Sequence, residues 1–276
     1  MSGKKETVFI SSISSDIGIA LAQRYSQDDY IICGSYRSKK LLSELGNLPA
    51  CHLFFCDLKD KQSIDHMIGE FSQLKLEWET FISCASYPPP LNGFFESDFE
   101  KWSDSVHINA IEQCRVLHQL YPYRQKKKES NVVFFAGPGT NCAVKNFSAL
   151  TVSKLLLIKM CELLNAEKED LNPFIVGPGW TRTKTHQLII SDPNVSPEKK
   201  KETENFLKSN QGTSFDDIYR TVRWLSQKGR KVAGGRNFSV VHDLWGKEEL
   251  ADELLKDPNM YKLRRQRNDW RKKNEQ

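Results

Sequence analysis

The chain's first apolar run ends in Ile10-Ser11-Ser12-Ile13-Ser14-Ser15-Asp16-Ile17-Gly18-Ile19-Ala20, residues whose types suit contact with a phosphate. A strand that turns directly into a helix presents backbone N–H groups and a positive dipole end to an anion. Ser11 and Ser12 are small, and Gly18 permits close helix–strand contact. Asp16 places a carboxylate in the same turn, where it suits helix capping. Read alone, the segment fits a plain capped turn better than a dinucleotide fingerprint, because two of the three fingerprint glycines are absent. Candidates for proton transfer are few. Thr140, Asn141 and Thr151 lie close together in sequence, but a Thr hydroxyl is a poor acid. His186 is of the residue type that serves most often as a general acid near neutrality. A lone loop histidine is more often a bystander.

Metal chemistry is not expected. The seven Cys are an odd number without metal spacing, and Cys51 and Cys56 lack a second pair or a nearby His cluster. Cys33 and Cys84 fall in apolar runs and read as reduced core thiols.

With 276 residues, 39% of them hydrophobic and 11% aromatic, the chain can bury a sizeable core. The net charge of +5 is modest, and its basic residues concentrate near the C-terminus, at Lys262–Arg267 and Arg271–Lys273. We read that tail, about 259–276, as a solvated segment. Charge is dispersed elsewhere, which argues against a dedicated nucleic-acid protein. No apolar run approaches the ~20 residues that cross a bilayer. Lys4-Lys5-Glu6 leads straight into the first apolar run, unlike a signal peptide. A reducing cytoplasm is the expected location.

The elements that must position these groups alternate. Strands are expected at Thr7–Ile10, Tyr30–Cys33, His52–Cys56, Thr80–Cys84, Val132–Phe135, Pro173–Val176 and Phe238–Val241. Helical spacing follows the first and third, and long helices are expected at Phe99–Tyr121 and Leu150–Ala166. Apolar strands alternating with helices imply a parallel sheet covered on both faces. The expected fold is therefore a single α/β domain, doubly wound, with its ligand site beyond the carboxyl ends of the strands. Residues 184–210 break the rhythm with Pro193, Pro197 and Glu198-Lys199-Lys200-Lys201-Glu202, and read as a lid-like insertion or a surface excursion. Val106, Ile111 and Val116, and Leu155–Ile158 with Met160, exceed what one apolar stripe per helix needs, so a second burial partner is expected. A homo-oligomer, dimer or tetramer, would supply it.

The order of motifs resembles the short-chain dehydrogenase/reductase family over about residues 7–245. Ser11–Gly18 stands where the family has its glycine-rich turn. Gly34-Ser35-Tyr36-Arg37-Ser38 follows the second strand, and an Arg there resembles the members that prefer NADP over NAD. Cys56-Asp57-Leu58 resembles the adenine-holding Asp. Ser83-Cys84-Ala85-Ser86 occupies the Asn-Asn-Ala-Gly slot, with only Ala85 kept. His107-Ile108-Asn109-Ala110 matches the active-site Asn, Leu150–Lys154 the Tyr-x-x-x-Lys helix start, and Gly177-Pro178-Gly179-Trp180-Thr181-Arg182-Thr183 the loop beside the nicotinamide. The resemblance implies a Rossmann-type domain, a small-molecule substrate and a nicotinamide cofactor, NADP before NAD. It implies cofactor contacts at Ser12, Ser15, Ile17, Gly18, Arg37, Asp57, Ala85, Lys154, Pro178, Gly179 and Thr183, and catalytic roles for Asn109 and Lys154.

The departures fall on the chemistry. Leu150 replaces the family's Tyr, and Gly137 replaces its Ser. Loss of one well-placed acid–base group typically costs ~10²–10⁴ in rate. Two readings stay open: an oxidoreductase with a replaced proton donor, for which His186 is a candidate, or a pseudoenzyme serving as partner subunit or sensor. Gly137–Asn141 and Arg236–Trp245 also resemble family members of bacterial surface-polysaccharide pathways, which would imply a sugar or sugar-nucleotide substrate.

Overall fold

The computed structural model describes residues 5–193, 195 and 197–265. The basic residues beyond Arg265, among them Arg267 and Arg271–Lys273, lie outside the described residues. Seven strands form one parallel sheet: β1 (Thr7–Ser11), β2 (Ile31–Tyr36), β3 (Cys51–Phe55), β4 (Thr80–Ser83), β5 (Ser130–Phe135), β6 (Leu171–Gly177) and β7 (Asn237–Ser239), in the order β3-β2-β1-β4-β5-β6-β7. Every expected strand is present. Registers such as Val8↔Ile32 and Ile10↔Ile82 align the apolar runs side by side.

Helices cover both faces, as parallel strands buried on each side require. Ile10, Ile32, Val133 and Phe174 face α1 (Asp16–Gln27), α8 (Phe215–Lys228) and α9 (Glu248–Lys256). Phe9, Phe81 and Phe134 face α2 (Lys61–Gln73), α4 (Glu112–Leu120) and α5 (Ser148–Glu167). Starts are capped by short polar side chains: Ser15 accepts from Gly18 N at 3.1 Å, and Asp98 from Glu100 N at 3.0 Å. The expected helix Phe99–Tyr121 is α3 (Phe99–Val106) and α4 joined by a π turn at His107–Ile111. The excursion at 184–210 contains two helices, α6 (Thr185–Ser191) and α7 (Pro197–Lys208). Among the described residues, no helix is long and apolar enough to cross a membrane.

The expected apolar surplus divides in two. Val116, Leu157 and Ile158 are core residues, so they supply no second burial surface. The face left over is Val152 and Leu163, both exposed, with Leu155 and Leu156 half-buried. Periodicity could not separate these faces, because Leu155–Ile158 is apolar without a break.

One buried cation holds the C-terminal part to the sheet. Arg236 is 3% exposed and donates only to carbonyls: Val232 at 2.8 Å, Leu254 at 2.6 Å, Met260 at 3.1 Å, Lys231 and Asp257 each at 3.2 Å. Its guanidinium joins α9 and the segment after it to β7. Arg236→Met should strand these acceptors and cost about 3 kcal/mol. Arg236→Lys should not restore it, because an ammonium lacks the planar fork. Urea unfolding midpoints measure both; an unchanged midpoint would remove this role.

Candidate active site

The strands all deliver their carboxyl ends to one edge, and the strand order reverses between β1 and β4, where a crevice must open. A cavity of about 710 Å³ lies there. Turns after β1, β4, β5 and β6 line it, together with the start of α5, α6 and residues 261–263. Of the residues singled out in the sequence, the structure brings together Ser15, Ile17, Ala85, Gly137, Leu150, Lys154, Pro178, Gly179, Thr183 and His186 on its wall. Ser12, Gly18, Arg37, Asp57 and Asn109 lie outside that lining.

The turn after β1 is shaped for close backbone approach. Ser12 adopts φ +56°, a left-handed conformation more usual for glycine. A Cβ on Gly18 would lie 2.7 Å from the Ile13 carbonyl oxygen, so only glycine fits that contact. Ser15 caps α1, leaving Asp16 free for another task. Its carboxylate accepts from the Lys184 backbone N–H at 2.8 Å, with the Lys184 ammonium 3.7 Å away. The acid in the turn therefore ties down the segment that enters α6. Beyond β2, Arg37 is exposed and meets no carboxylate among the described residues. Asp57 folds back on its own loop, accepting from Lys59 N at 3.0 Å.

Lys154 is the chemically unusual group. It projects from α5 beside Gly137, where an added Cβ would lie 3.2 Å from Lys154 Cγ and 3.9 Å from Leu150 Cδ2. It is 5% exposed, and among the described residues its ammonium has no hydrogen-bond acceptor. Burial pulls its pKa down to about 8. The nearest titratable neighbour is Cys84, whose thiol burial pushes up and so keeps protonated.

Asn109 sits behind the cavity, fully buried in the π turn. Its side chain brackets the loop after β4, donating to Tyr87 O and accepting from Tyr87 N, each at 2.8 Å. Sequence reasoning missed its partner Gln113. That amide accepts from Ser83 Oγ at 2.7 Å and donates to Asn109 O at 2.8 Å and Ala85 O at 3.2 Å. A π turn disturbs the usual carbonyl partners, and π bulges gather at functional sites. The available signal was a polar residue four positions after Asn109 on an otherwise apolar face.

His186 is on the wall, but its nitrogens are occupied or shielded. Nε2 lies 2.9 Å from the Thr181 carbonyl, and Nδ1 is buried without a partner. The ring stacks on Trp180 with centroids 5.8 Å apart and touches Phe206 at 5.0 Å. Nε2 is thus engaged with the backbone and Nδ1 is enclosed, which leaves neither nitrogen free for a substrate in this arrangement. Among the described residues, no group of three or more His, Cys, Asp or Glu is placed to hold a metal.

Comparison with known proteins decides the lineage. A family model described as enoyl-(acyl carrier protein) reductase matches residues 13–240. The chain belongs to the short-chain dehydrogenase/reductase family. Among its relatives is a fatty acyl-CoA reductase of Acinetobacter baylyi, 22% identical over 212 residues, covering 71% of this chain and 70% of that protein. The chain spans 58% of the length of a Mycobacterium bovis oxidoreductase, with 21% identity. In fold it is similar to a short-chain dehydrogenase/reductase from Saccharomyces cerevisiae, with TM-score 0.77, 19% identity and coverage of 90% and 98% of the two chains. It is also similar to an actinorhodin polyketide ketoreductase crystallised with NADPH, with TM-score 0.74, 18% identity and coverage of 86% and 95%.

The residues present fit a dinucleotide. The Gly18 contact, the first turn of α1 and Lys154, whose ammonium meets no acceptor among the described residues, each have a use when one is bound. The hydroxyls of ordinary family chemistry are absent, because Leu150 and Gly137 hold their places. Leu150→Tyr combined with Gly137→Ser should raise NADPH-dependent reduction of a model ketone by at least about 10². The 3.2 Å approach to Lys154 requires a small shift of that side chain, so Leu150→Tyr alone should give most of the gain. No gain in either variant, with NADPH still bound, would show that more than the hydroxyls has been lost.

Proposed function

We propose that this chain binds NADP(H) and descends from carbonyl-reducing enzymes, with its ordinary proton delivery disabled. The observation that carries this reading is the pairing of opposites at one wall. Lys154 is kept, buried and, among the described residues, without an acceptor, while Leu150 and Gly137 remove both hydroxyls beside it. A bound nicotinamide would supply hydride chemistry. The chain's own residues would hold it: the α1 turn at the phosphates, Lys154 at the ribose, Arg37 at a 2′-phosphate, and Pro178, Gly179 and Thr183 beside the ring. NADPH in the similar polyketide ketoreductase supports the choice of nucleotide.

The substrate is a small carbonyl compound or alcohol of apolar character. Val144, Phe147, Leu150, Ile189, Val241 and Leu263 line the cavity. This apolar stretch suits an acyl-like chain, while Asn141, Asn237, Ser239 and Asp243 give the same cavity a polar side for the carbonyl end. The A. baylyi relative's name, fatty acyl-CoA reductase, points the same way. The rival reading, a pseudoenzyme that binds nucleotide as a sensor or partner subunit, draws on the same missing hydroxyls. A cytoplasmic setting suits seven unpaired cysteines.

Titrating purified protein with NADPH and NADH, following nicotinamide fluorescence, tests the reading. NADPH should bind more tightly. Arg37→Ala should weaken NADPH by about 1.5–3 kcal/mol and leave NADH nearly unchanged. Equal weakening of both, or no binding by the wild type, would defeat the assignment.

We further propose that the chain self-associates through α3–α4 and α5. Val152 and Leu163 are exposed at i and i+11 on one face of α5. Phe99 on α3, which packs against α5, is 60% exposed and stacks on Trp102 at 5.8 Å. Sedimentation at micromolar concentration should give a dimer or tetramer, and Val152→Glu with Leu163→Glu should give 31.8 kDa monomers. A wild-type monomer would reject the interface.

A further inference from the structure

We propose that Lys154 is a carbonyl-capturing nucleophile, forming an imine with apolar aldehydes that enter the cavity when no nucleotide is bound. The argument rests on what surrounds the amine. Lys154 lies on the wall of a 710 Å³ cavity whose lining includes Val144, Phe147 and Leu150. Neither a Tyr at position 150 nor a Ser at position 137 competes for its lone pair. Among the described residues, the groups on the wall that could pair with it or take its proton are committed or silent. Asp16 binds Lys184. Cys84, at the end of β4, stays a thiol because burial pushes its pKa up. His186 on α6 is engaged with Thr181. Asp243, also on the wall, accepts from Ser239 N at 2.6 Å.

A buried lysine in such surroundings surrenders its proton easily, and that is what makes lysines nucleophiles for carbonyl compounds. Burial has already brought Lys154 to about 8, so a substantial share is neutral near pH 7.5. The stem runs past Gly137, where an added Cβ would come within 3.2 Å of Lys154 Cγ, so glycine leaves that side of the lysine open. Its role toward a nucleotide ribose uses the same nitrogen as a hydrogen-bond donor, so capture and nucleotide binding compete.

The chemistry needs no oxidant and no cofactor. The neutral Nζ lone pair adds to the aldehyde carbon, and an Nζ proton passes to the oxygen. The resulting carbinolamine expels that oxygen as water while the second Nζ proton leaves and the C=N bond closes. Hydrolysis runs the same steps backwards. The apolar wall slows the return by limiting water at the imine.

The test uses the whole protein with octanal and sodium cyanoborohydride at pH 7.5, followed by tryptic mapping in a mass spectrometer. Cyanoborohydride reduces the imine to a stable secondary amine. Lys154 should be labelled first, at about tenfold the rate of the exposed lysines, because its amine is the more deeply buried. Lys262, on the same wall and also pulled down by burial, is the rival, and labelling there in place of Lys154 would overturn the proposal. Lys154→Arg should lose that adduct and keep the slow background. Saturating NADPH should slow labelling at Lys154 alone. Labelling that NADPH does not slow still supports capture, and removes the ribose role instead. Adducts spread evenly over surface lysines, an adduct at Cys84 in place of Lys154, or the same Lys154 rate in urea-unfolded protein would each overturn the proposal. Wild-type mapping alone decides between these outcomes if the Arg variant does not fold.

Discussion

The site depends on one nearly buried lysine whose ammonium meets the cavity and, among the described residues, no acceptor. An amine buried on α5 costs folding free energy, because burial disfavours its charge and no carboxylate repays that. The protein tolerates it because the rest of α5 is packed. Ala149, Ser153, Leu157, Ile158 and Cys161 bury the same stripe against the sheet. That stripe fixes the register of Lys154 along the helix, and with it the side chain's position beside Gly137 and Leu150. Replacing a tyrosine hydroxyl with leucine makes the pocket drier, which deepens the desolvation of the lysine. The substitutions that remove ordinary acid–base chemistry are thus the ones that leave the amine reactive.

The second constraint is that the loop after β4 must be held from behind. Asn109 and Gln113 do this from a helix forced out of α geometry. The π turn places Ile108, Asn109 and Ala110 in the core together, and Gln113 answers the disturbed carbonyls. Loss of the family's Asn-Asn-Ala-Gly side chains before Ser86 leaves this loop dependent on that bracket. Asn109 therefore acts here as a positioning residue.

Much of the fold was legible because its signal is local. Buried parallel strands are short apolar runs, and seven of them could be read directly. The cavity wall was legible through motif order, which placed ten named residues around one space. What escaped was non-local. Asp16 and Lys184 meet across 168 positions, and no spacing rule links them. Gln113 and Arg236 are polar residues whose partners are backbone carbonyls, so their sequence neighbours carry no trace of the bond. The segment after α9 looked like a solvated tail, yet Tyr261, Lys262 and Leu263 reach the cavity, and Arg264 pairs with Glu162 at 2.6 Å. The helix faces were misread for a different reason: an unbroken apolar run has no phase.

The Asp16–Lys184 contact links the two halves of the site. In the turn after β1, a carboxylate opposes any bound phosphate, since both are anionic and the α1 N-terminus attracts either. The same carboxylate holds the backbone that leads into α6, whose Ile189 and His186 complete the cavity wall. A pyrophosphate at the start of α1 would meet that carboxylate, and Lys184, with its ammonium 3.7 Å from Asp16, puts a cation at the same turn. A glycine in that position would carry no such contact, so the departure from the family fingerprint ties the turn after β1 to the segment that enters α6.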